Sequence, residues 1–387
     1  MEFRKASRLG KIPPYLFAEL DRKKKTLVDA GKDVISLGIG DPDKPTPRLI
    51  CDALCANAYE GSLHGYPSNA GLPEFRKAVS DFFNDRYAVK LDPDTEISVT
   101  KGGKEAVSQL PTAFVNPGEA VLIPDPGYPV YRAGTVFCEA EPVVMPLRKE
   151  NGFMPDLSEI DDETASRARI MWLNYPNNPT SAFATKEFFK EAVDFARKNE
   201  IILAHDAAYN EVYLDDEKPL SILEIDGAKE VAVEIHAFAK TFNMTGWRIG
   251  FLAGNADIVS AYVSAKANID NGTFRVVQKA AVEGLKNYDK CVTPIRDLYR
   301  SRRDLVIGRL KKLGFEVEPP RGTLYVWFPV PGGESSIVYA DKLLEQANVV
   351  LTPGVGFGEY GEGFLRIALT ADEDRLNEAF DRIEKVV

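Results

Sequence analysis

The chain has 387 residues, of which 44% are hydrophobic and 27% charged, and its formal net charge is −10. That length calls for more than one small core, and that balance excludes a disordered chain. The acidic excess speaks against nucleic acid or a membrane as a general partner. No apolar run reaches transmembrane length, and MEFRKASRLGKIPPY lacks the apolar segment of a signal peptide, so a cytoplasmic protein is expected.

In chain order, the N-terminal segment, with its prolines in IPPY and DPDKPTP, reads as an extended arm that packs on the last part of the chain or on a partner subunit. Cys51 and Cys55 follow, one helical turn apart in LICDALCANAY. No nearby histidine completes a ligand set, since the only ones are His64, His205 and His236. Buried thiols are therefore expected, and no metal site. Strands are expected over 120–124, 141–147, 169–175, 201–206, 232–238 and 249–254, with helices such as KEFFKEAVDFARKN between them. This alternation predicts an α/β fold of three layers, a mostly parallel sheet covered on both faces, with function at the carboxyl ends of the strands. After about residue 285 the pattern changes. A long helix (291–313) precedes FEVEPP, TLYVWFPV, a helix near Ala340, VVLTPG, FLRIALT and a final helix, which suggests a smaller α/β domain. The expected division is 1–45 as the arm and part of the small domain, 46–285 as the large domain and 286–387 as the small domain.

The chemistry starts from HAFAKTFNMTGWRIGF. Lys240 follows the apolar run AVEIHAF, and Arg248 comes eight residues later between Gly246 and Gly250. Burial disfavours an ammonium, which suits an amine that must form a Schiff base. An arginine in the next turn can offer a planar fork to a phosphate. Pyridoxal 5'-phosphate (PLP) requires both. Singly, each is an ordinary solvated side chain.

Other segments supply the remaining parts. Asp206, in ILAHDAAYNEVY, ends an apolar strand, where a carboxylate needs a partner; a protonated pyridine nitrogen would serve, and a helix N-cap is the plainer alternative. Tyr209 lies one turn on and can reach the same group. Asn178, in NYPNNPTSA, can donate to a ring oxygen or simply make a turn. Tyr128, in PDPGYPVY, can stack on a pyridine or fill a core. Gly102, Gly103 and Lys104, in VTKGGKEAVSQL, stand between a strand and a helix whose first N–H groups suit a phosphate. Arg366 alternates within the apolar run FLRIALT; an inward arginine needs an anion, either an amino-acid carboxylate or a fixed Asp or Glu.

Taken in this order, from LGIGDPD to FLRIALT, these segments resemble the fold type I PLP-dependent aminotransferases, the aspartate aminotransferase superfamily. The resemblance implies Lys240 as the lysine that carries the cofactor and shuttles protons. It implies Asp206 at the pyridine nitrogen, Tyr209 and Asn178 at the ring oxygen, and Tyr128 stacked on the ring. Gly103, Lys104 and Arg248 are implied at the phosphate, Arg366 at the substrate carboxylate and Gly40 in the substrate wall. It implies a homodimer acting on amino acids and 2-oxo acids, with Tyr66, in GYPSNAGLPEF, reaching the partner's phosphate and Asn268, Asn69 and Asn271 near the substrate. Within the superfamily, KIPPYLFAELDRKK, DVISLGIGDPD, AFVNPGEAVLIPDPGYPVYRAGT, NMTGWRIG and NIDNGTF are similar to the bacterial LL-diaminopimelate aminotransferases. Other amino acids (aspartate, alanine, aromatic), β-C–S lyase chemistry or a non-catalytic binding module are the rival readings on the same fold.

The chain departs from that family at four places. It has Ala237 where the family has serine, Gly103 where GSK is usual, Ser181 where PTG is usual, and Gly65 where arginine is frequent. The first two remove hydroxyls from the phosphate side.

Overall fold

The structure, a computed structural model, describes residues 3–12 and 16–387, with only the backbone given for 16–20. Twelve strands occur among these residues. They are β1 (Ile35–Ser36), β2 (Ile97–Thr100), β3 (Ala120–Asp125), β4 (Glu141–Pro146), β5 (Ala168–Leu173), β6 (Ile202–Asp206), β7 (Ala232–Ala237), β8 (Gly250–Gly254), β9 (Tyr325–Pro329), β10 (Val349–Val350), β11 (Thr352–Pro353) and β12 (Phe364–Ala368).

Strands β2 to β8 form one sheet in the order β2-β8-β7-β6-β5-β3-β4. Every neighbouring pair is parallel except the two made by β8. Side chains alternate between two cores: Val121, Ile123, Ile170, Trp172 and Ile235 enter one, while Ala120, Leu122, Met171 and Leu203 enter the other. Both faces are buried, so these strands read as mostly apolar runs. The helix Lys186–Asn199 shows how the covering layer is built. Thr185 caps its start by accepting from the Phe188 N–H, Phe188, Phe189, Ala192, Val193 and Ala196 form its buried face, and Glu200 closes it at φ +55°.

A second core gathers Ile35, Leu37, Tyr299, Val306, Leu324, Leu343, Leu365 and Phe380. Its sheet has the order β11-β12-β9, with β1 and β10 paired in parallel beside it. The segment around β1 thus joins the end of the chain, as the sequence suggests. The helix Tyr288–Lys312 spans both cores: Cys291 and Val292 pack in the first, Ile295, Tyr299 and Val306 in the second.

Two expectations are corrected. The N-terminal segment is not simply extended, because LFAELDRKKKTLVD forms the helix Leu16–Asp29; Pro13, Pro14 and Tyr15 lie outside the described residues. Cys51 is half-buried and Cys55 exposed, since the helix Arg48–Asn57 turns Ile50 inward instead; only Cys291 of the four free thiols is buried.

Candidate active site

Backbone ends from both sheets converge on a cavity of about 460 Å³. Its lining includes Gly40, Gly103, Lys104, Tyr128, Asn178, Asp206, Tyr209, Lys240, Arg248 and Arg366. Ten of the fourteen residues selected from the sequence for cofactor and substrate are therefore brought together, and Asn69 and Asn271 are not in the lining. Nor are Tyr66 and Asn268: Tyr66 is 80% exposed, and the Asn268 amide turns back to the Ser264 carbonyl (2.9 Å). Both sit on the outer face of this single chain.

Lys240 lies in the short helix Phe238–Thr241 just past β7, three residues beyond the strand end rather than on it. Its ammonium donates to the Gly40 carbonyl. Burial lowers its pKa below the ordinary value, with Tyr325 and Asp41 opposing and Arg366 and Arg248 reinforcing that shift. A neutral amine is thus more accessible here than on a surface lysine.

Asp206 is the last residue of β6 and is 6% exposed. One carboxylate oxygen accepts from the Tyr131 hydroxyl (2.8 Å) and the other from the Ala208 N–H (3.3 Å). Burial pushes its pKa up to about 6, against those hydrogen bonds. No Lys or Arg lies within 4.0 Å of it among the described residues. A buried carboxylate on a cavity wall without a cation is satisfied by a protonated ring nitrogen, and a helix N-cap role is excluded because no helix starts here. Tyr131 itself is stacked on Trp172 (5.2 Å, 21°) and meets Tyr128 edge-on (5.9 Å).

The opposite pole is built for an anion. Gly102 has φ +78° and precedes the helix Gly103–Phe114, whose first two residues line the cavity; a helix start of this kind suits an anion. A Cβ on Gly102 would stand 3.0 Å from the Arg248 guanidinium, so a side chain there would crowd it. Arg248 reaches back from φ +54° and donates to the Thr245 (2.9 Å) and Lys101 (3.2 Å) carbonyls, which fixes its fork at this end.

Arg366 points inward from β12 and is 2% exposed. It donates to the Asn178 side-chain oxygen (2.7 Å) and the Gly38 carbonyl (2.6 Å). Its guanidinium lies between the rings of Tyr325 (4.0 Å) and Phe357 (4.5 Å). Two aromatic faces and two carbonyl-type acceptors hold a planar fork in one orientation, the geometry that suits a carboxylate.

A buried cation-seeking carboxylate, a buried lysine, a backbone anion cradle with an arginine and a second fixed arginine form one constellation. The model of the family "Aminotransferase class I and II" matches residues 32–383. The chain belongs to this family. The LL-diaminopimelate aminotransferase of Aquifex aeolicus is 48% identical over 384 residues, 99% of each chain, and that of Desulforudis audaxviator is 49% identical over 383 residues, 99% of this chain and 98% of the other. Among solved structures, BacF of Bacillus subtilis with bound substrate has a TM-score of 0.95 at 38% identity, covering 100% of this chain and 98% of that one. An aspartate aminotransferase double mutant from Thermus thermophilus has a TM-score of 0.93 at 28% identity, with full coverage of both. These neighbours share the fold type I architecture expected for this aminotransferase.

Several residues in or directly behind the cavity wall escaped the sequence reading. Tyr131 lies one helical turn after Tyr128, and that spacing was its only signal. Tyr325 lies in TLYVWFPV. The register pairs Arg366 with Trp327, which puts Tyr325 on the same face as Arg366, but this needs the strand pairing. Phe357 ends the short 3-10 helix Gly354–Phe357 and carried no signal. Of the departures, Gly65 has the Arg275 guanidinium 3.8 Å from where its Cβ would be, and Arg275 donates to the Tyr66 carbonyl. Ser181 adopts φ +61°, a conformation in which glycine is unstrained.

Proposed function

We propose that this aminotransferase binds PLP in the cavity and moves the amino group of LL-diaminopimelate to 2-oxoglutarate, or the reverse. The observation that carries the reading is the cavity's division into an anion cradle at Gly103 and Arg248, a lone buried carboxylate at Asp206 and a carboxylate fork at Arg366 around one buried lysine. Those residues fit PLP: the donor-rich helix start suits its phosphate, and Asp206 suits its ring nitrogen. When bound, PLP supplies an electron sink for charge that develops at the substrate's α-carbon.

The chain's own groups do the rest. Arg366 and Asn178 orient the α-carboxylate. Lys240, whose charged form burial disfavours, is the group placed to take the proton from the α-carbon. Asp206 would hold a protonated ring nitrogen, with its carboxylate kept turned by the Tyr131 hydroxyl. Tyr209 and Tyr128 would border the ring, and Lys104 would stand at the phosphate.

Substrate choice follows from the same lining. Among the described residues its basic groups are Lys104, Lys240, Arg248 and Arg366, each already assigned. No further arginine is present for a simple distal carboxylate, and Asp21 adds a carboxylate. That composition favours a zwitterionic far end, for which an extra arginine would repel the ammonium. The full-length likeness to LL-diaminopimelate aminotransferases supports the same reading.

We further infer a homodimer with units 46–285 and 286–387 plus the N-terminal segment. Tyr59 (95% exposed), Tyr66, Ile269 and Phe274 are large apolar side chains left exposed on two segments tied together where Arg275 donates to the Tyr66 carbonyl, and a two-fold interface would cover them. In that assembly Tyr66 and Asn268 serve the partner's cavity. The test of the function is glutamate formation from LL-diaminopimelate and 2-oxoglutarate by the PLP-loaded protein. Release of pyruvate and ammonia from cystathionine without amino transfer would mark a lyase instead.

A further inference from the structure

Tyr325 stands where the two reacting regions meet. Its hydroxyl shares a 2.9 Å hydrogen bond with that of Tyr209. It is packed so tightly on Gly40 that a Cβ there would be 2.1 Å from it, and the Gly40 carbonyl accepts from Lys240. The face of its ring carries the Arg366 guanidinium. One phenol therefore touches Tyr209 and Arg366 directly, and packs on the Gly40 backbone to which Lys240 donates.

The backbone that holds Tyr325 is unusual. Thr323, two residues before it, adopts φ +69°, which a β-branched residue rarely does. Ser181, across the cavity wall, adopts φ +61°. Their hydroxyls bond to each other (2.6 Å), Ser181 also donates to the Tyr325 carbonyl (3.0 Å), and the Thr323 hydroxyl accepts from the Tyr325 N–H (3.1 Å). Two strained residues thus clamp both backbone groups of one tyrosine. Strain retained in this way marks a position whose geometry is needed.

We propose that Tyr325 is a positioning residue for Tyr209 and, through the Gly40 backbone, for Lys240, and that the two phenols form a reversible donor–acceptor pair at the ring-oxygen position. This rests on the aminotransferase reading above. In the chain without cofactor, Tyr209 donates to Tyr325. Burial raises the Tyr325 pKa, but Arg366, Lys240 and the Tyr209 hydrogen bond together bring it below the ordinary value, whereas burial and the charge on Tyr325 hold Tyr209 well above it. Arg248 and Asp41 act on Lys240 from the other side, Asp206 acts on Tyr209, and Tyr299 faces Tyr325 from its own helix. If an acceptor occupies the ring-oxygen position, Tyr209 turns its proton to it. Tyr325 then donates its own proton to the Tyr209 oxygen.

The experiment is a near-ultraviolet phenolate titration of the full-length chain without cofactor, alongside pH profiles of kcat and KM with it. The wild type should show one tyrosine titrating below its ordinary value. Tyr325→Phe should abolish that step, and Tyr209→Phe should move it upward. In the loaded enzyme Tyr325→Phe should lower kcat about ten-fold and shift its pH profile, with KM for the amino acid changed less than about three-fold, because Arg366 remains. A titration unchanged by Tyr325→Phe, or a kcat pH profile that overlays the wild type, overturns the proposal. The titration needs no turnover, so its failure is separable from failure of the aminotransferase reading.

Discussion

Gly103 and Ala237 face each other at the phosphate end of the cavity: a Cβ on Gly103 would lie 3.4 Å from that of Ala237 and 3.7 Å from Ile235. Both positions have lost a hydroxyl relative to the resembling family, and they lost it at one spot. Arg248 and the helix N–H groups remain as donors there.

Restoring a donor should therefore tighten the cofactor. A hydrogen bond to a charged group contributes about 1.5–3 kcal/mol, so Ala237→Ser should lower the Kd for PLP by about ten- to hundred-fold. Gly103→Ser should act in the same direction, since ordinary contact distances leave room for it. Equilibrium dialysis of the phosphate cofactor against each variant gives the result, and an unchanged Kd in both would contradict this account of the cradle.

Asp206 carries a trade of stability for function. Its pKa is about 6 in the folded chain against an ordinary 3.8. A raised carboxyl favours the folded state below the unfolded value, and that benefit is lost as pH rises through about 6. The difference corresponds to about 3 kcal/mol. Without cofactor, Asp206→Asn should match the wild type near pH 4 and be more stable above pH 6, by up to that amount, in denaturant unfolding. With cofactor, the same variant should lose about 10³-fold or more in kcat, because the electron sink weakens. A wild type that remains the more stable above pH 6 would refute the first part.

Arg366→Lys keeps the charge but loses the fork and its place between Tyr325 and Phe357. The expected result is a rise in KM for amino acids of about ten-fold or more, since a bidentate pair becomes a point contact. The thermal midpoint should change little, which steady-state kinetics and calorimetry on one preparation will show.

The exposed surface of Tyr59, Tyr66, Ile269 and Phe274 should be covered in solution. Phe274→Asp should convert a dimer to a monomer in sedimentation velocity and remove turnover with it. Full activity in a monomer would rule out shared sites.

How much of this was legible in the sequence depends on the kind of signal. The strands of the large sheet were visible because both faces are buried, so β3 and β5 read as mostly apolar runs and β7 as one broken only by Glu234 and His236. Lys240, Asp206 and Arg366 stood out because a charge in such a run needs a reason. The antiparallel placement of β8 was not visible, since it depends on how the chain crosses after Arg248. Tyr325 and Phe357 were hidden because an aromatic residue in an apolar stretch is ordinary core; only the β9–β12 register and the short 3-10 helix after β11 bring them onto Arg366. The helix Leu16–Asp29 was obscured by the prolines before it, which drew the reading toward an extended arm. Tyr66 and Asn268 could not be placed by one chain at all, because their expected partner is a second copy.

The most direct test of the central claim compares kcat/KM for LL-diaminopimelate, aspartate, alanine and phenylalanine, each with 2-oxoglutarate as acceptor and the PLP-loaded protein. The account predicts that LL-diaminopimelate exceeds each of the others, because the lining offers no spare arginine for a distal carboxylate and tolerates a distal ammonium. If any of the other three exceeds it by about ten-fold, a difference of about 1.4 kcal/mol in transition-state binding, the substrate assignment is contradicted.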